Sequence, residues 1–161
     1  ILSILVDNTS GVLSRVAGLF SRRGYNIDSI TAGVTADQRY SRMTVVCEAD
    51  DQMIQQVTKQ LAKQEDVRDV KVLEPDDSVA RELMLVKVAV KPEQRQGALS
   101  FADIFRAKVV DVSKDSLIME MTGSQNKLKA FIELMADYEI LELARTGITG
   151  LSRGSEDVRF L

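Results

Sequence analysis

Ile1-Leu2-Ser3-Ile4-Leu5-Val6-Asp7-Asn8-Thr9-Ser10-Gly11-Val12-Leu13-Ser14-Arg15-Val16-Ala17-Gly18-Leu19-Phe20 changes period in mid-course. Leu2, Ile4 and Val6 alternate, as in a strand. Leu13, Val16, Ala17 and Phe20 recur at i, i+3, i+4 and i+7, the stripe of an amphipathic helix. A strand from Ile1 to Asp7 therefore passes through a short polar turn into a helix from Gly11 to Arg23. Gly24 then ends that helix, since glycine accepts the left-handed backbone found there.

The same two periods continue outward. Asn26 to Val34 reads as extended, and Arg42 to Ala49 as a strand with Met43, Val45, Cys47 and Ala49 on one side. Asp50 is placed to cap a second helix carrying Ile54, Val57 and Leu61. Val67 to Leu73 reads as a fourth strand. Pro75-Asp76-Asp77-Ser78 breaks the pattern and reads as a linker. The order then repeats: a strand from Glu82 to Val90, and a helix opened by Pro92 with Ala98, Phe101, Ala102 and Phe105 inward. Strands follow over Ala107 to Val112 and Leu117 to Thr122. A helix bearing Leu128, Phe131, Ile132 and Met135 and a last strand from Glu139 to Thr146 complete it.

Two successive β-α-β-β-α-β units predict an α+β protein of two consecutive ferredoxin-like domains. Each has an antiparallel sheet with its helices on one face. The expected divisions are residues 1–74 and 79–161, the second including a glycine-punctuated tail. Each unit is small enough for its core to be marginal. Its helix-free sheet face needs a cover, expected from dimerisation, edge pairing or domain stacking.

Composition removes whole classes of function. Among 161 residues there is no His, so His acid–base chemistry and His metal ligation are out. Cys47 is the single cysteine, which excludes an internal disulfide and a Cys-rich zinc site and suits a reducing cytoplasm. A net charge of −3 gives no drive toward nucleic acid or an anionic membrane. No apolar run approaches the roughly 20 residues of a membrane span. The apolar start without a basic n-region is expected to be a trimmed or disordered start and not a signal peptide. The first strand–helix loop holds no paired cysteines for copper, no phosphate-binding arginine and no Walker motif. No nucleophile–base pair is legible, so catalysis by this chain is not expected.

That loop, Asp7-Asn8-Thr9-Ser10-Gly11, can still bind. Free amides at a helix start favour a carboxylate. Gly11 admits a ligand close to the backbone. Asn8 offers a donor and an acceptor, and Asp7 a negative charge. Leu13 and Ile27 could wall an apolar side chain. Those groups match an α-amino acid. From the turn alone, an ordinary N-cap is the commoner reading.

Asn8-Thr9-Ser10-Gly11-Val12-Leu13-Ser14-Arg15-Val16, with Leu19-Phe20-Ser21-Arg22-Arg23-Gly24-Tyr25-Asn26-Ile27, resembles an ACT domain, most closely that of the acetolactate (acetohydroxyacid) synthase regulatory small subunits. The resemblance continues through Ser41-Arg42-Met43-Thr44, Arg81-Glu82-Leu83-Met84-Leu85-Val86-Lys87 and Ile104-Phe105-Arg106-Ala107. It runs on through Val110-Asp111-Val112, Ala144-Arg145-Thr146-Gly147 and Gly150-Leu151-Ser152-Arg153-Gly154. It implies a cytoplasmic, non-catalytic subunit of valine, leucine and isoleucine biosynthesis. That subunit activates a large catalytic partner and mediates feedback inhibition by valine or a related branched-chain amino acid. It implies no cofactor in this chain, with thiamine diphosphate, Mg and FAD on the large subunit. It also implies a homodimer through the ACT domains, with the effector between protomers. On that basis the candidate effector site takes Asn8, Gly11, Val12, Leu13 and Ser14 from one protomer and Asn26 and Ile27 from the other; the chemistry of the loop itself adds Asp7 and Ser10. The tail at 151–154 reads as a terminal turn or as a contact with the large subunit. The alternative is an ACT-type sensor serving another enzyme or a transcription system, although no helix-turn-helix segment or basic stripe is present.

Overall fold

A computed structural model describes residues 1–155; the last six residues of the expected second domain lie outside the described residues. The described residues form two compact units, 1–80 with 148–155, and Arg81–Gly147.

In the first unit the elements are β1 (Leu2–Asp7), α1 (Val12–Arg22), β2 (Ile27–Val34), β3 (Tyr40–Cys47), α2 (Asp51–Ala62) and β4 (Val67–Val72). The sheet is antiparallel in the order β2-β3-β1-β4. β1 and β3 are central, so Leu2, Ile4, Val6, Met43 and Val45 are buried under α1 and α2. α1 supplies Val12, Val16, Leu19 and Phe20, and α2 supplies Val57 and Leu61. Burying such side chains contributes about 1.5–3 kcal/mol each. α1 ends in a Schellman closure: the amides of Gly24 and Tyr25 donate to the carbonyls of Ser21 and Phe20, and Gly24 has φ +71°. Asp50 accepts from the Met53 amide at 2.8 Å, the cap its sequence position predicts.

The second unit runs through β5 (Ser78–Ala89), α3 (Arg95–Phe105), β6 (Lys108–Val112), β7 (Ser116–Gly123), α4 (Gln125–Leu134) and β8 (Glu139–Arg145). The boundary between units falls inside β5. Its sheet order, β6-β7-β5-β8, repeats that of the first unit. Met84, Val86, Val88, Leu117, Met119 and Phe131 fill its core. The buried Glu82 carboxylate accepts from Arg145 at 2.8 and 2.9 Å and from the Gly147 amide, so its charge is fully met.

Two boundaries differ from the sequence reading. The linker expected after Pro75 is a short 3₁₀ turn, Pro75–Asp77, and β5 already starts at Ser78. The tail does not stay with the second domain. From Ile148 it belongs to the first unit, where β9 (Thr149–Ser152) pairs with β5. One pairing explains both: the tail supplies the hydrogen-bond partners that make residues after the 3₁₀ turn a strand. Such a contact between distant residues has no local signature.

Candidate functional site

The first strand–helix loop presents an uncapped helix start. Gly11 is the N-cap residue of α1 at φ +83°, and among the described residues no side chain bonds the amides of the first turn. The commoner reading of the turn, a Ser or Asp cap, is therefore not what is built. Only glycine adopts that backbone without strain, since the left-handed region costs other residues roughly 1–2 kcal/mol. Ser10, Gly11, Leu13 and Ser14 are exposed, whereas Val12 turns into the core. Leu13 is 47% exposed, a large apolar side chain beside bare amides. The result is a positive helix end next to an apolar surface, suited to a carboxylate with a short aliphatic group.

Asp7 and Asn8 hold this loop in place. The Asp7 carboxylate takes a bidentate interaction from Arg68, at 2.7 Å from Nε. That guanidinium lowers the Asp7 pKa from its ordinary value. The negative charge that Asp7 brings to the loop is thus met by Arg68. The Asn8 side chain donates to the Gln38 carbonyl and accepts from the Ser41 hydroxyl, and its amide donates to the Arg39 carbonyl. The loop is thus pinned to the β2–β3 turn. Arg15 pairs with Asp66 and passes so close to Gly11 that a Cβ there would stand 3.1 Å from its Nη1.

Arg15, Gln38, Ser41, Asp66 and Arg68 were absent from the sequence-derived set. Arg15 is the exception that spacing could have raised, being one helical turn from Gly11 on the same face. The others meet the loop only through sheet register. Asp7 lies opposite Tyr40 on one side, while β4 pairs on the other with a register irregularity between Leu5 and Val6.

Asn26 and Ile27 stand elsewhere. Asn26 is exposed and donates weakly to Asp28 at 3.3 Å. Ile27 is half-buried against the core and pairs with Cys47. The Asp7 end of β1 is level with Tyr40, and the Ile27 end of β2 is level with Cys47. A strand rises about 3.3 Å per residue, so the two ends are on the order of 20 Å apart. No single amino acid reaches both within one chain. Ile27 lies on β2, an edge strand of its sheet. The far end of that strand, Val34, pairs with Ser41, the residue that bonds Asn8. Antiparallel addition of a second β2 would bring the Ile27 end of one chain to the Val34 end of the other.

Residues 2–69 match the family described as the AHAS small subunit-like ACT domain, and residues 81–154 match the family described as the small subunit of acetolactate synthase. A probable acetolactate synthase small subunit from Archaeoglobus fulgidus is 50% identical over 96% of this chain and 97% of its own length. An acetolactate synthase small subunit from Mycolicibacterium smegmatis is 44% identical, with coverage of 98% and 92%. The crystal structure of the acetolactate synthase small subunit from Thermotoga maritima superposes with a TM-score of 0.90 at 40% identity, covering 96% of both chains.

Proposed function

The chain belongs to the acetolactate synthase small-subunit family, and from that premise we propose that it senses valine, or a related branched-chain amino acid, for a catalytic large subunit. The observation that carries this reading is the bare start of α1 beside Leu13, with its complement, Asn26 and Ile27, at the opposite end of the same sheet. A site divided in this way closes only in a homodimer. First-turn amides of one protomer take the carboxylate. Leu13 of that protomer and Ile27 of the partner subunit wall the side chain, and Asn26 of the partner subunit bonds a polar end. Asp7 and Asn8 act as anchors that hold the loop open.

A ligand lodged across a two-fold interface biases dimer geometry. It regulates a partner to the extent that its affinity differs between the partner's two states; tenfold corresponds to about 1.4 kcal/mol. Activation and feedback inhibition of the large subunit in the cytoplasm follow from this role. The carbon–carbon chemistry, with thiamine diphosphate, Mg and FAD, is assigned to that large subunit.

Calorimetric titration with valine, with and without the large subunit, tests the proposal. Heat should saturate at the dimer-linked stoichiometry. Asn26→Ala should weaken binding a few-fold, as losing one hydrogen bond of about 0.5–1.5 kcal/mol requires. Gly11→Asp should abolish it by placing a negative charge at the carboxylate position. Gly11→Ala separates charge from strain, because Asp tolerates the left-handed backbone better than Ala does. If Ala abolishes binding and Asp does not, the carboxylate assignment is wrong. No heat from the unmodified protein under either condition removes the sensing role.

A further inference from the structure

The helix-free face of the first sheet carries a row with one residue from each strand. Thr31 lies opposite Thr44, Thr44 opposite Ser3, and Ser3 opposite Lys71. Alternation assigns all four to this face, since their strand neighbours Ile30, Val45, Ile4 and Val70 belong to the helix-side core. Hydroxyls on an open sheet face should be wet, yet Ser3 and Thr44 are 3% and 1% exposed.

The chain's own tail runs over this row. At one end the Thr31 hydroxyl donates to the Ile148 carbonyl at 3.3 Å; at the other the Lys71 ammonium donates to the Ser152 hydroxyl at 3.2 Å. β9 thus passes from the β2 edge to the β4 edge. The start of β5 holds it there. Gly150 comes so near that a Cβ would stand 3.0 Å from the Val79 carbonyl oxygen and 3.1 Å from Leu73 Cδ1. The Arg153 amide donates to the Asp77 carbonyl at 2.8 Å.

Through Thr31 the tail reaches β2. That strand has β3 as its partner in the sheet, and its pairing is irregular between Ile27 and Ser29, next to the effector residues. An edge strand with a broken register is the part of a sheet most easily displaced. The bond from Thr31 to the tail is a second tie, on the opposite face from the core. We infer that β9 is a strap that positions the effector strand, with Thr31 and Gly150 as its positioning residues. The inference rests on the amino-acid-sensing reading above. Docked, the strap holds Asn26 and Ile27 where they reach a ligand seated on the α1 start of a second protomer. Released, it leaves β2 competent only part of the time, and apparent affinity falls by that fraction.

Valine calorimetry on the full chain tests this, with circular dichroism and dimer mass recorded for each variant. Gly150→Val, which cannot seat against Val79, and Thr31→Val, which loses the hydroxyl at nearly constant shape, should each raise the valine Kd about tenfold. Thr31→Ser, which keeps the hydroxyl, should stay within about twofold of the unmodified chain. Trypsin should cut after Arg153 faster in Gly150→Val, reporting the released strap. Faster cutting with an unchanged valine Kd overturns the inference and leaves the sensing reading intact. Should Gly150→Val fail to fold, an unchanged Kd in Thr31→Val overturns it instead. Absence of valine binding in the unmodified chain overturns the sensing reading and the strap with it.

Discussion

Asp7 and Arg68 meet at the end of β1, and their pairing gives the loop a dependence on pH. The guanidinium holds the Asp7 carboxyl below the usual carboxylate range in the folded chain. A carboxylate with a depressed folded pKa stabilises the fold above its unfolded pKa and loses that contribution as pH falls through the folded value. Asp7→Asn should therefore lower the thermal midpoint near neutral pH, and the gap to the unmodified protein should close in strong acid. A gap that persists once the Asp7 carboxyl is protonated would show that Asp7 acts through shape and not charge. Asp37 behaves alike on the neighbouring turn, where Arg39 brings its pKa down to about 2. Chain order makes Asp37 and Arg39 easy to pair by eye. Asp7 and Arg68 are distant in the sequence, so their pairing needs the fold.

Helices and strands differ in how much of themselves they carry locally. α2 is defined almost wholly by its own residues: the Asp50 side chain caps it, and Val57 and Leu61 form its buried stripe. Asp50→Ala should cost about 1 kcal/mol, seen as a lower denaturation midpoint with an unchanged denaturant slope. A cost near zero would mean the Met53 amide finds another partner. α1 shows the reverse at its start. Asp7, Asn8 and Ser10 all have capping chemistry, yet none caps it. Sheet formation takes the first two away: Arg68 engages Asp7, and Gln38 and Ser41 engage Asn8. Gly11, and not one of these three, stands at the N-cap position of α1, so its first-turn amides stay bare.

At the scale of the molecule, each unit has its own core, and the tail is the part whose allegiance the structure decides. Deleting residues from Ile148 onward should speed hydrogen exchange across β2 and β3 while leaving the β5–β7 pairing, such as Val86 opposite Met119, protected. Equal loss of protection in both units would contradict the assignment of the tail to the first. The sheet face that sequence reasoning left to dimerisation, edge pairing or domain stacking thus gains a cover from within the chain. No periodicity announces it, because Thr149–Ser152 is a short segment with glycine inside it.

Repeating periods, helix ends and the chemistry of the loop were legible from residue order alone, since each depends on neighbours within a few positions. They determined two β-α-β-β-α-β units, the core stripes from Leu2 to Met135, and the turn Asp7 to Gly11 as the place to look. The expectation of a homodimeric site and a regulatory role came from motif resemblance, and similarity to known proteins shows the family. Tertiary structure decided what depends on pairs far apart in the chain. It paired Asp7 with Arg68, left the α1 amides bare, set Asn26 and Ile27 at the far end of the sheet, and returned Ile148 to Ser152 to the first unit. The physical reason is register: hydrogen bonds between strands choose partners by alignment of the whole sheet, and no local spacing encodes that choice.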